Sequence, residues 1–192
     1  LIGPGVDLTG ADLTGLDLSG ADLSGATLTA VTSGSILGAP TLPSGYQIIG
    51  GYLIGPGVDL RYADLAGADL AGADLTGADL RHSNLTGADL TNADLSGANL
   101  RSTDLTGADL TGAYLTEADL TGVTSGSIVG TPTLPSGTLL VAGYLIGPGV
   151  DLQSFDLAGA DLTGVDLAGA DLRYANLTGA DLTNADLSGA NL

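Results

Sequence analysis

His82 is the one histidine of the chain, Ser83 follows it, Ser102 stands twenty positions after it, and aspartates surround all three. These are the residue types of a nucleophilic hydrolase site. The slot that holds His82, however, holds Tyr62, Ser102 and Tyr174 elsewhere in the same sequence pattern, so it reads as solvated surface. Paired carboxylates for acid/base work need two distinct environments. The aspartates here recur in one environment, which leaves them no division of labour. No catalytic residue and no cofactor is expected. Metal binding is the stronger chemical candidate, because stacked turns of chain ~4.8 Å apart would bring equivalent aspartates into columns whose repulsion a divalent cation relieves. No EF-hand loop and no GGxGxDxUx repeat is present, and single outward carboxylates offer few ligands. The expectation is weak, diffuse binding of calcium or another counterion, with no specific metal site. Arg61, Arg81 and Arg101 lie twenty apart and should form a column of partial charge compensation.

The elements that carry these residues follow from composition and spacing. Asp and Glu total 22 against four Lys and Arg, a formal charge of −18. That excludes a phosphate-neutralising surface, hence ordinary nucleic-acid binding, and excludes attraction to anionic membranes. Insertion into a membrane is not expected, since no apolar run is long enough to span one. Aromatics are 4% of the residues, too few for a conventional globular core of this size. Cysteine is absent, which removes any disulfide framework or thiolate site.

Read in fives, the middle of the chain runs ADLAG, ADLAG, ADLTG, ADLRH, SNLTG, ADLTN, ADLSG and ANLRS. Leucine recurs at Leu60, Leu65, Leu70, Leu75, Leu80, Leu85, Leu90, Leu95 and Leu100 and on to Leu120, again from Leu152 to Leu192, and in a shorter run from Leu8 to Leu28. Within a pentad Ala and Leu are two residues apart with Asp between them, which puts both on one side of an extended segment and the Asp on the other. Strict fives walk around a 3.6-residue helix, so a helix is excluded. The closing Gly suits a sharp bend. Such pieces bury their Leu only by stacking into a solenoid. The arginine spacing of twenty argues for four pentads in a coil. The motif LIGPGVDL begins at residues 1, 53 and 145, and the spacings of 52 and 92 differ by 40. On this reading two whole coils separate the module lengths, and every face stays in register.

These pentads resemble the pentapeptide repeat family, whose consensus is a small residue, Asp or Asn, Leu, a polar residue and Gly. The resemblance implies an all-β fold, a right-handed quadrilateral parallel β-helix, with Leu and the small residue two before it pointing inward. It covers most of the chain. The expected organisation is a solenoid segment at 1–30, an insert at 31–57, solenoid at 58–122, a second insert at 123–149 and solenoid at 150–192. Leu1 lacks a preceding methionine and Leu192 falls within a repeat, so the chain is expected to be an excerpt of a longer array.

The inserts run VTSGSILGAPTLPSGYQIIGGYLIGPGVDL and VTSGSIVGTPTLPSGTLLVAGYLIGPGVDL. From Leu28 to Leu60, and from Leu120 to Leu152, is 32 residues, read as one coil plus twelve. Tyr46 to Ile49 and Tyr52 to Ile54 flank Gly50-Gly51 as a hairpin would, and Leu139 to Val141 and Tyr144 to Ile146 flank Ala142-Gly143. A rival reading lets each insert follow the coil, since Ile48 and Leu53 stay in frame with Leu28. An exposed apolar strand pair would suit docking, so Tyr46, Ile48, Ile49, Tyr52, Leu53, Ile54, Leu139, Leu140, Val141, Tyr144, Leu145 and Ile146 form the candidate interaction segment.

The functional expectation is a structural role: a rigid rod or filament segment of an exported or cell-surface array, self-associating end to end or laterally. ADLTNADLSGANL recurs at residues 88–100 and 180–192, which favours a uniform rod over a tailored surface. The alternative is implied by the resemblance, since some family members mimic DNA in width and charge and bind DNA gyrase. Such a protein would be a cytoplasmic binding module with gyrase as its partner.

Overall fold

The computed structural model describes residues 3–192, so Leu1 and Ile2, the start of the first LIGPGVDL motif and of the expected segment 1–30, lie outside the described residues. Each pentad is a short extended piece centred on its Asp, followed by a tight bend. Parallel backbone bridges join the centres of pentads twenty residues apart: Asp59 to Asp79, Asp64 to Asn84, Asp69 to Asp89 and Asp74 to Asp94. These four pairs belong to four columns of bridges that climb the molecule. Ala and Leu point between the columns into the core. Leu60, Leu65, Leu70, Leu75, Leu80, Leu85, Leu90, Leu95 and Leu100 are all at most 2% exposed.

The pentad works as a unit because all five of its backbone N–H groups have partners, as buried and half-buried donors require. In the pentad from Ala88 to Asn92, Asp89 N–H donates to Ala68 O in the preceding coil at 2.9 Å. Leu90 and Asn92 donate to Asp109 O and Thr111 O in the following coil, at 2.9 and 2.8 Å. Ala88 N–H closes the bend onto Leu85 O at 3.0 Å. Thr91 N–H, left over at the corner, is taken by the Asp89 side chain through Oδ1 at 2.9 Å. The last residue of the pentad is left-handed, which suits Gly; Tyr62, His82 and Ser102 adopt it with φ of 62°, 60° and 56°.

Each insert carries an antiparallel hairpin, β1 (Gln47–Ile49) with β2 (Tyr52–Ile54), and β3 (Leu139–Val141) with β4 (Tyr144–Ile146). The two-residue turns have positive φ throughout, including Ala142 at 50°. The rival reading, in which the insert simply follows the coil, is therefore corrected: Ile48 pairs with Leu53 across the hairpin instead of lying a pentad before it. The inserts also do not project their apolar strands. Leu53 and Ile54 are 1% exposed and Leu145 and Ile146 are at 0%, because β2 and β4 supply the inward face that a regular pentad would. Ser33 Oγ and Ser125 Oγ, both buried, accept the Leu53 and Leu145 N–H groups at 2.8 and 3.0 Å. These four residues are core and belong outside the interaction segment expected above.

The face register is corrected as well. Thr32 bridges to Asp59 and Thr124 to Asp151, steps of 27 where the regular step is 20, so each insert adds seven residues to the pentad frame and not twelve. Within that step Asp22 bridges to Thr41 and Tyr114 to Thr133, one residue short of twenty, and the hairpin adds the rest. Removing seven from the module spacings of 52 and 92 leaves 45 and 85, nine and seventeen pentads. Both exceed whole coils of four by one pentad. Asp7, Asp59 and Asp151, the aspartates of the three LIGPGVDL motifs, accordingly stand in three successive columns: Asp59 in the column of Asp12 and Thr32, Asp151 in that of Asp64, Asn84, Asp104 and Thr124.

One position in the core is imperfect. Ser83 takes a slot that Ala63 and Val123 fill elsewhere, and its buried hydroxyl has no partner, whereas Thr103 in the same slot donates to Leu80 O at 2.7 Å. Ser83→Ala should raise the stability by about 1 kcal/mol by removing an unsatisfied group, measured by urea denaturation. Leu90→Ala, which opens a cavity in the ladder, should cost about 2–5 kcal/mol in the same measurement.

Candidate functional site

The aspartates are corner acceptors before they are anything else. Asp7 Oδ1 receives both the backbone N–H and the hydroxyl of Thr9, at 2.9 and 2.6 Å. Hydroxyls two residues on, followed by the backbone N–H, hold the carboxyls of Asp7, Asp12, Asp17, Asp22 and Asp89 below the ordinary aspartate range. Asparagine can do the same job, as Asn84 Oδ1 does for Thr86 N–H at 3.1 Å. Its amide then donates along the column to Asp64 Oδ1 at 3.0 Å, which interrupts a run of like charges. Among the described residues no group of three or more His, Asp or Glu side chains is placed to hold a metal ion.

Arg61 and Arg81 turn back on the aspartate of their own pentad, with Nη2 at 2.6 Å from Asp59 Oδ2 and from Asp79 Oδ2 respectively. Arg61 also lies 3.7 Å from Asp79, so the two pairs are linked along the column. Arg101 follows an asparagine and reaches instead to Asp119 at 3.3 Å. Arg173 repeats the Arg61 geometry on Asp171 in the neighbouring column, and its place after Asp-Leu in the pentad was the signal that marks it. These arginines lower Asp59, Asp79 and Asp171 chiefly through side-chain hydrogen bonds. His82 and Ser83 are parted by the wall of the solenoid. His82 is exposed at a corner and stacks on Tyr62, with ring centroids 5.1 Å apart and planes 8° from parallel, while Ser83 faces the core.

The least regular surface lies at the inserts. Of the expected interaction segment, Leu139 is exposed, and Tyr46, Ile48, Ile49, Tyr52, Leu140, Val141 and Tyr144 are half-buried. Tyr46 lies against Gly55 and donates its hydroxyl to Pro56 O at 3.0 Å. Tyr52 accepts the Asp64 N–H at 3.2 Å, whereas its counterpart Tyr144 packs against Phe155 with centroids 4.5 Å apart and planes tilted by 34°. Two open clefts flank the hairpins. One of about 270 Å³ lies beside Tyr46, Gln47 and Asp74, and one of about 420 Å³ lies among Asp119, Thr121, Thr138 and Pro148.

The pentapeptide repeats family model matches in eight copies, over residues 4–29, 57–92, 83–122, 149–184 and 160–192, which leaves the inserts unmatched. None of the curated proteins matches the chain. Among solved structures it is similar to HetL, a pentapeptide repeat protein involved in heterocyst differentiation regulation from the cyanobacterium Nostoc sp. strain PCC 7120, at 28% identity, with 97% of this chain and 89% of that one covered and a TM-score of 0.29. It is also similar to QnrB1, a plasmid-mediated fluoroquinolone resistance protein, at 22% identity over 96% and 89% of the two chains with a TM-score of 0.29. A pentapeptide repeat protein from the cyanobacterium Cyanothece 51142 shares 22% identity over 94% and 90%, with a TM-score of 0.27.

The lowered carboxyls fix the sign of the pH dependence. Their folded-state pKa values lie below the unfolded ones, so stability is fully present above the ordinary aspartate range, near pH 3.9, and is lost as pH falls through the folded values because the unfolded chain takes up protons first. The urea midpoint should therefore hold steady from about pH 7 to pH 5 and decline by about pH 3. A midpoint that climbs on acidification would mean that relief of charge repulsion outweighs the corner bonds.

Proposed function

Because the chain belongs to the pentapeptide repeat family, whose model matches well over half of it, we propose that it is a non-catalytic structural protein, a rigid rod segment that self-associates. In finer detail we take the fold to be a right-handed quadrilateral β-helix with twenty residues in a regular coil and hairpin inserts that lengthen two coils. The observation that supports this reading is the continuity of the bridge columns. At each insert one of the four columns is bridged across, through Thr32 to Asp59 and through Thr124 to Asp151, which supports hairpins that lengthen a coil within one rod. Each coil offers the same outward-running donors and acceptors to the next, which makes any coil a template for another and favours end-to-end assembly. An exported or cell-surface setting suits such an array. Cations are held only as a diffuse atmosphere around the carboxylate columns, and no cofactor is used.

A second reading rests on charge. A rod with a formal charge of −18 suits a DNA-like binding module for gyrase in the cytoplasm, and QnrB1 is described as a fluoroquinolone resistance protein.

Small-angle scattering and electron microscopy of the purified chain should show rods of constant cross-section whose length grows with concentration. A particle of fixed mass over a hundredfold concentration range would sink the self-assembling rod. Inhibition of gyrase supercoiling by the chain would favour the second reading over the first.

A further inference from the structure

The two inserts are near copies 92 residues apart, and they differ at one position that the fold makes consequential. In the first, Tyr46 lies so close to Gly55 that a Cβ there would overlap its ring, and its hydroxyl donates to Pro56 O at 3.0 Å. Burial, then the charge of Asp74, raises the phenol above its ordinary value and keeps it a donor. In the second insert Thr138 stands in this place. The 420 Å³ cleft opens beside it, lined among others by Asp119, Leu120, Thr121, Pro135, Thr138 and Pro148. Of these, Leu120, Thr121, Pro135 and Pro148 correspond to Leu28, Thr29, Pro43 and Pro56, the same residue types 92 positions earlier, and Tyr46 donates its N–H to Pro43 O and its hydroxyl to Pro56 O. Among the described residues no N–H or O–H donates to Pro148 O, the counterpart of the carbonyl that Tyr46 engages. The cleft thus keeps the carbonyl acceptor of a phenol site, with matching residues beside it, and lacks the phenol.

We propose that the cleft between Thr138 and Pro148 binds a para-substituted phenol ring, with its hydroxyl donating to the Pro148 carbonyl oxygen as Tyr46 does to Pro56. The ring comes from a free phenol or from a tyrosine of a second copy, such as Tyr174, which is 86% exposed. The Pro148 carbonyl, with the Asp119 carboxylate also on the wall, selects a phenol over a plain hydrocarbon, because an acceptor covered without a donor loses its hydration uncompensated.

The test is a titration of the intact chain with p-cresol, followed through the methyl resonances of Thr121 and Thr138. Saturable shifts are expected, with toluene binding at least about tenfold more weakly, the ratio that one lost hydrogen bond of about 1.4 kcal/mol gives. Thr138→Tyr should fill its own cleft and abolish the p-cresol shifts. The same shifts appearing on concentration without p-cresol would identify a tyrosine of another copy as the source. No saturable shift in the wild-type chain, or equal binding of toluene and p-cresol, would overturn the proposal, and neither result depends on how the variant folds.

Discussion

The interaction that recurs at each aspartate of this fold is the hydrogen bond from the backbone N–H two residues on to that aspartate's Oδ1. A four-column stack with a bend every five residues can satisfy four of the five N–H groups of a pentad by backbone alone, two of them upward, one downward and one across the bend. The fifth points along the corner, where no carbonyl waits. Most of these corners are exposed, so water could take the carboxylate's place, and each bond contributes the ordinary net of about 0.5–1.5 kcal/mol, repeated along the chain. The side chain at the centre of the pentad is the only one whose reach suits the gap. Asp or Asn suits it, since a longer side chain overshoots and a hydroxyl is too short, although Tyr114 and Thr27 stand at bridged pentad centres without such a bond.

That preference explains the charge. The chain is acidic because its corners need carboxylate or amide acceptors, and the charge needs no partner to account for it. The consequence is repulsion along columns of aspartates, and the structure answers it locally. Asparagines at 84 and 176 donate to the aspartate one coil away, and arginines at 61, 81 and 173 turn back onto the aspartate of their own pentad. Exposed pairs of this kind are each worth less than about 1 kcal/mol, so their use is to moderate repulsion and not to hold the coil together.

The pentad, its inward Leu and the twenty-residue recurrence were legible in the sequence, because a spacing of two inside a spacing of five admits one geometry. The role of the aspartates was not legible. A polar residue between two apolar ones reads as solvated surface whether or not its oxygen receives an N–H, and only the bend geometry tells the two apart. The inserts were half legible. Gly50-Gly51 between apolar runs gives the hairpin, but a count of 32 residues divides equally well into one coil plus twelve or five pentads plus seven. Burial decides between them: Leu53 and Ile54 supply an inward face of their own, so the hairpin's second strand stands in for a pentad and does not leave the coil. The exchange of Tyr46 for Thr138 was visible as a difference between copies, but its meaning lies in what surrounds it.

The seven-residue excess also decides how apolar surface is distributed. If modules kept every face in register, each hairpin would emerge on one side, and a long array would carry a continuous apolar stripe suited to lateral sheets. Since each module advances by one pentad beyond whole coils, Asp59 and Asp151, which follow the two hairpins, stand in neighbouring columns. The half-exposed residues of β1 and β3 therefore face different directions. A stripe broken into quarter-turn steps gives no single side on which two rods could zip together over their length. For the self-association proposed above, this geometry would favour growth along the axis, where successive coils present the same bonds, over lateral association, where successive modules present different faces.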